Sequence, residues 1–165
     1  MSSAAFDHPV DIIRSPRRKK TVQARLRDGR VEIRVPAAMS DAEVDRHLQT
    51  LVPRLERQRR AAPIDLVERA RRLASRYELP EPTEIRWVGN QQRRWGSCTM
   101  DHGTIRISDR LTDVPDFVLD YVVVHELTHL VEADHGPRFN ALMARFPQGD
   151  KAEGYLMALS LHGLV

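Results

Sequence analysis

From Phe117 to Leu130 the chain reads FVLDYVVVHELTHL, a stretch too apolar to leave a solvent-facing side yet bearing two histidines and a glutamate near its end. Asp113 and Pro115 stand where helix openings favour them, and the apolar residues run on through Val118, Tyr121, Val122, Val124, Leu127 and Leu130. The segment predicts a largely buried helix. An unpaired charge is expensive in such a setting, so a glutamate there calls for a reason.

His125-Glu126-Leu127-Thr128-His129 supplies one. One helical turn separates the two histidines, so both imidazoles project from the same face toward one metal ion, with Glu126 beside them. His135 follows six residues after His129, and Gly136-Pro137 permits the chain to turn back with it as a third ligand. Zn²⁺ on three protein ligands keeps a fourth position for water, which it makes nucleophilic near neutral pH. Glu126 is then the general base, and afterwards the proton donor to the leaving group. With 7 histidines in 165 residues, chance yields roughly 0.02 such motifs per chain. His8, His47, His102 and His162 have no comparable setting, and Cys98 reads as a small buried thiol. Asp120, Glu132 and Asp134 are near enough in sequence to orient a ligand imidazole through its second nitrogen.

The remaining punctuation is clear. Val22, Ala24 and Leu26 alternate with polar residues, as do Val31, Ile33 and Val35, and Asp28-Gly29 between them predicts a two-residue β-hairpin ended by Pro36. Ser40 and Glu43 form a capping box ahead of a helix with Val44, Leu48, Leu51, Val52 and Leu55 inward. Pro53 is expected to kink or split it. Pro63 marks the start of a further helix whose buried stripe is Ile64, Val67, Ala70, Leu73, Ala74 and Tyr77. A second half opens after Pro80 and Pro82. It has strands at 85–88 and 104–108, a strand or turn around 93–99, a short helix bearing Phe139, Leu142, Met143 and Phe146, and a last helix from about 151 to 162.

A single cysteine excludes an internal disulfide, no run is long and apolar enough to cross a bilayer, and Met1–Pro9 lacks a secretory pattern. The expectation is a cytoplasmic protein without membrane association, one domain over residues 1–165. In it, residues 1–60 form a basic hairpin and helix, and residues 80–165 form the metal-binding half. Residues 1–60 carry 14 Lys/Arg against 8 Asp/Glu. Their densest run, Arg14, Arg17, Arg18, Lys19 and Lys20, reads as a solvated basic strand edge, with nucleic acid or a nucleotide as the other partner it suits.

Arg93-Arg94-Trp95-Gly96-Ser97-Cys98, then Tyr121 to Leu130, then His135-Gly136-Pro137-Arg138-Phe139, resemble in order the motifs of the YgjP-like zinc metallopeptidase family, relatives of the SprT-like and WLM metalloproteases. The resemblance implies a small zincin-like α+β domain with an N-terminal β-hairpin and the active-site helix packed on a short sheet. It implies one Zn²⁺ on His125, His129 and His135, and Glu126 as catalytic glutamate. It places the R-W-G-S-C segment near the metal cleft, which makes Arg94, Trp95 and Ser97 candidates for substrate contact. Asn140 departs from the Trp that relatives place after the Phe. The ligand spacing is also that of metzincins, but Glu132 occupies their glycine position, so metzincin membership does not follow.

Three functions fit these residues. The first is a zinc peptidase acting on polypeptides, with Arg94, Arg138 or Tyr155 steadying the oxyanion. The second is a metal-dependent hydrolase of nucleotide phosphoanhydrides, a pyrophosphatase, with Arg93, Arg94 and Arg138 on phosphate. Residues 100–165 hold 5 Lys/Arg and 10 Asp/Glu, which opposes a polyanion. The third is a non-enzymatic scaffold, but a structural zinc is normally closed by four protein ligands and needs no base beside it.

Overall fold

Asp28 and Gly29 take φ of 50° and 74°, the left-handed backbone a two-residue hairpin turn demands. They join β2 (Gln23–Arg27) to β3 (Arg30–Pro36) as anticipated, with Leu26 opposite Val31 and Ala24 opposite Ile33. The computed structural model describes residues 8–161, and its contacts group into two units, 1–59 and 60–165. His162 lies outside the described residues.

In the first unit a further strand, β1 (Val10–Ser15), pairs parallel with β3, giving the order β1-β3-β2. Sequence patterning does not announce it, because Ile12 and Ile13 are adjacent and both partly exposed, at 47% and 40%. Arg14, next to last in this edge strand, donates to the Met39 carbonyl and the Asp41 carboxylate. Helix α1 (Asp41–Ala61) begins at the capping box: the Ser40 amide donates to Glu43 Oε2 at 2.9 Å, and the Glu43 amide to Ser40 Oγ at 3.4 Å. Val44, Leu48 and Val52 are buried with Val31, Ile33 and Val35 to form this unit's core.

Of the kink or split expected at Pro53, the split does not occur: α1 runs unbroken through the proline. The bond it forfeits would run to the carbonyl of exposed Gln49, which water can satisfy, while Leu48 and Val52 hold the helix on the core.

The second unit contains α2 (Leu66–Tyr77), β4 (Glu84–Val88), β5 (Gly96–Thr99), β6 (Thr104–Ser108), α3 (Asp116–Thr128), α4 (Pro137–Met143) and α5 (Gly149–Leu161). Its sheet has the order β4-β6-β5, with β4 parallel and β5 antiparallel to β6. Helix α2 starts later than Pro63 suggests: Asp65 is the N-cap, its side chain accepting from the Glu68 amide at 2.9 Å. Ala70, Leu73, Ala74 and Tyr77 are buried as expected, but Leu66 joins them and Val67 is 54% exposed. The described residues thus form an α+β fold of five helices and two three-stranded sheets.

Helix α3 lies on β5 and β6 and is also covered by α2, α4 and α5. Val118, Leu119, Val122, Val123, Val124 and Leu127 are buried on it, which is why an all-apolar sequence is stable there. Asp120 pairs with Arg69 of α2 at 2.9 Å, tying the two helices. No helix among the described residues is long and apolar enough to cross a membrane.

Candidate metal centre

Helix α3 ends where the site begins. His125 lies in its last turn and His129 is its C-cap, its amide bonded to the His125 carbonyl at 3.2 Å. Two tight turns follow, with the Val131 and Glu132 amides on the Thr128 carbonyl, and the chain reverses to bring His135 back. Nε2 of His125 lies 3.2 Å from Nε2 of His129 and 3.1 Å from Nε2 of His135, and all three donor atoms fall within 4.8 Å of one another. Nitrogens on a tetrahedral zinc with bonds of about 2.0–2.1 Å stand roughly 3.3 Å apart, so the donor set fits such an ion in number and type, and the two separations from His125 match it. His129 Nδ1 donates to the Glu132 main-chain carbonyl at 2.9 Å, which fixes the tautomer that leaves Nε2 free to ligate.

Of the three acidic candidates for that orienting role, Glu132 performs it through its backbone, and Asp120 is engaged with Arg69 and Arg72. The Glu132 carboxylate instead meets Arg138 Nε at 2.9 Å, closing the segment that carries His135. Phe139 of α4 is the floor of the cluster, its ring centroid 4.6–4.9 Å from those of all three histidines. Burial, with His129 and His135 alongside, lowers the His125 pKa to about 4.

Glu126 is 6% exposed and lines the same cleft as the three histidines, a cavity of about 650 Å³. Burial raises its pKa to about 7, against a smaller opposing pull from Arg94. Its closest wall is Gly96 of β5: a Cβ built there would lie 2.5 Å from Glu126 Oε1. Space, not backbone conformation, therefore demands glycine in R-W-G-S-C, a requirement sequence reading passed over because it singled out only that segment's side chains. Cys98, partly buried on the same strand, has its thiol pushed up to about 11 by burial and by Glu126.

Arg94, Trp95 and Ser97 line the cleft with Tyr121. Arg110 stacks over Trp95 at 4.3 Å, and Gln91 Nε2 donates to Ser97 Oγ at 2.7 Å. Arg138 and Tyr155 are not among the residues lining the cleft. His47 and His102 are exposed, and His8 Nδ1 donates to the Gly29 carbonyl at 3.1 Å.

The YgjP-like metallopeptidase domain model matches residues 54–153. A search of curated proteins returned no match. Among solved structures, the metallopeptidase zymogen of Methanocaldococcus jannaschii jannalysin superposes with a TM-score of 0.50 at 15% identity, covering 62% of this chain and 99% of that one. That likeness is one of fold. The match over 54–153 spans all three histidines, Glu126 and every residue lining the cleft but Leu156, and the chain belongs to the YgjP-like family, carrying its metallopeptidase domain.

Proposed function

We propose that the protein is a zinc-dependent peptidase in which His125, His129 and His135 hold one ion and Glu126 transfers protons. The observation that carries this reading is the convergence of three imidazole nitrogens within 4.8 Å in a cleft that also takes the buried carboxylate of Glu126. Bound zinc supplies Lewis acidity, polarising an amide carbonyl and making water more acidic. Glu126 removes a proton from the attacking water and returns it to the departing amine, held in place by Gly96 on one side and its own helix on the other. Arg94 is the cation of the cleft and the candidate for steadying the developing oxyanion; Trp95 and Ser97 shape the wall a polypeptide would pass.

A second reading, hydrolysis of nucleotide phosphoanhydrides, draws on the arginines beside the cleft. The acid surplus of residues 100–165 weighs against it, with 5 Lys/Arg to 10 Asp/Glu. Purified, metal-quantified protein assayed in parallel on unfolded polypeptides and nucleoside triphosphates, with Glu126→Gln as control, separates the two. Peptide cleavage that falls about 10²–10⁴-fold in Glu126→Gln while zinc stays bound is the expected result. Glu126-dependent release of phosphate or pyrophosphate without proteolysis would replace this reading by the second.

A further inference from the structure

Most arginines of the second unit face carboxylates: Arg69 meets Asp116 and Asp120, Arg86 meets Glu84, Arg138 meets Glu132 and Arg145 meets Glu78. Arg93, Arg94 and Arg106 differ. All three line one cavity of about 430 Å³ whose other walls are Asn90, Gln91, Gln92 and Ser97, with no aspartate, glutamate or lysine. Arg106 donates to Asn90 Oδ1 at 2.8 Å, while its Nε is buried without a hydrogen-bond partner. No described carboxylate forms an ion pair with any of the three.

This cavity shares Arg94 and Ser97 with the metal cleft, so the two meet along the start of β5. Three guanidinium groups side by side attract an anion, Arg94 also acting at longer range on Glu126, and their planar forks match a carboxylate in two-point hydrogen bonding. The neutral amides around them add polar partners without competing charge.

We propose that this cavity is a specificity subsite for a substrate carboxylate, so that the enzyme prefers polypeptides carrying Asp or Glu close to the bond cleaved. The proposal rests on the peptidase reading, and names the chain chemistry that reading leaves open. A singly charged carboxylate suits the setting better than a polyphosphate, because the acid-rich second half repels dense negative charge.

Equilibrium binding of fluorescent peptides to zinc-loaded Glu126→Gln protein tests the subsite apart from turnover. Matched peptides differ only in Asp or Glu against Asn or Gln at positions flanking the expected scissile bond, each with a free or amidated C-terminus. Acidic side chains are expected to tighten binding about tenfold or more, and Arg93→Gln or Arg106→Gln to abolish that preference. In the wild-type background the same substitutions should raise KM for acidic peptides about tenfold with kcat within about twofold. Arg106 lies in β6 and its variant can disturb the sheet; Arg93 is exposed ahead of β5, so its variant keeps the test independent of folding.

Affinity that is equal for acidic and neutral side chains but lost on C-terminal amidation keeps the subsite and assigns the carboxylate to the chain terminus. Equal affinity for acidic and neutral peptides whether or not the C-terminus is amidated overturns the proposal, as does Arg93-dependent binding of pyrophosphate with no discrimination among peptides. Cleavage without acid preference removes the subsite and leaves the peptidase. Arginine-dependent binding of acidic peptides by a wild-type protein that cleaves none keeps the subsite and removes the peptidase.

Discussion

The two sheets share one plan. In each, the first strand in sequence pairs parallel and the second antiparallel with the third, which lies between them, as β1-β3-β2 and β4-β6-β5. Their helices differ. Helix α1 buries Val44, Leu48 and Val52 on one stripe and leaves the residues between them exposed or partly exposed. Helix α3 is enclosed by β5, β6, α2, α4 and α5. Only the second arrangement can keep a carboxylate such as Glu126 away from bulk water one residue from a histidine of the cluster. Strand topology is thus neutral with respect to chemistry; the enclosure of one helix makes the site.

That contrast can be broken from either side. The largest effect is expected from His129→Ala, which removes a donor from the triad. Because altering a group that merely orients a ligand costs about 10–100-fold in metal affinity, losing the ligand itself should cost at least about 100-fold and all hydrolysis. Metal analysis after dialysis checks it, and full occupancy would mean the histidines are not the site. Leu48→Ala in the one-sided core should destabilise the first unit by about 2–5 kcal/mol, with metal content unchanged, read as faster hydrogen exchange in β3 and α1.

Gly96→Ala sharpens the comparison on the enclosed side. Its Cβ would meet Glu126 Oε1 at 2.5 Å, so either β5 or the carboxylate must move. A loss of about 1–3 kcal/mol in stability is expected, with turnover falling further than zinc affinity. Turnover unchanged from wild type would show that Glu126 does not need its present position. The smallest effect, about 1 kcal/mol, is expected for Ser40→Ala at the start of α1, measured by denaturant unfolding.

Sequence reading reached the parts of the molecule governed by local rules. Asp28-Gly29 specified a hairpin because few residues accept that backbone, and His125, Glu126 and His129 fall into place through helical spacing alone. His135 was legible because Gly136-Pro137 marks the reversal. What escaped depends on distant partners. Strand β1 owes its existence to pairing with β3 rather than to its own alternation, and which of the adjacent Leu66 and Val67 turns inward is settled by the core that α2 packs into. Gly96 carries no chemistry of its own, and its meaning emerges only when Glu126 is seen against it. Phe139 likewise read as a core residue of a short helix, whereas its ring supports three imidazoles at once.

The near-complete burial of α3 has a consequence for how the site is aimed. A helix apolar on almost every face gains as much from burial at one rotation about its axis as at another, and a slip of one residue turns it by about 100°. Polar exceptions lift that degeneracy. Asp120 is engaged by Arg69 on α2, and the Tyr121 hydroxyl donates to Glu153 on α5, two bearings taken from different neighbours. The direction in which His125 and Glu126 point is therefore indexed in part by Arg69, Asp120 and Glu153, which do not line the cleft. A redesign of this cleft that conserved every cleft-lining side chain, but made Asp120 or Glu153 apolar, would risk losing angular alignment while keeping a well-filled core.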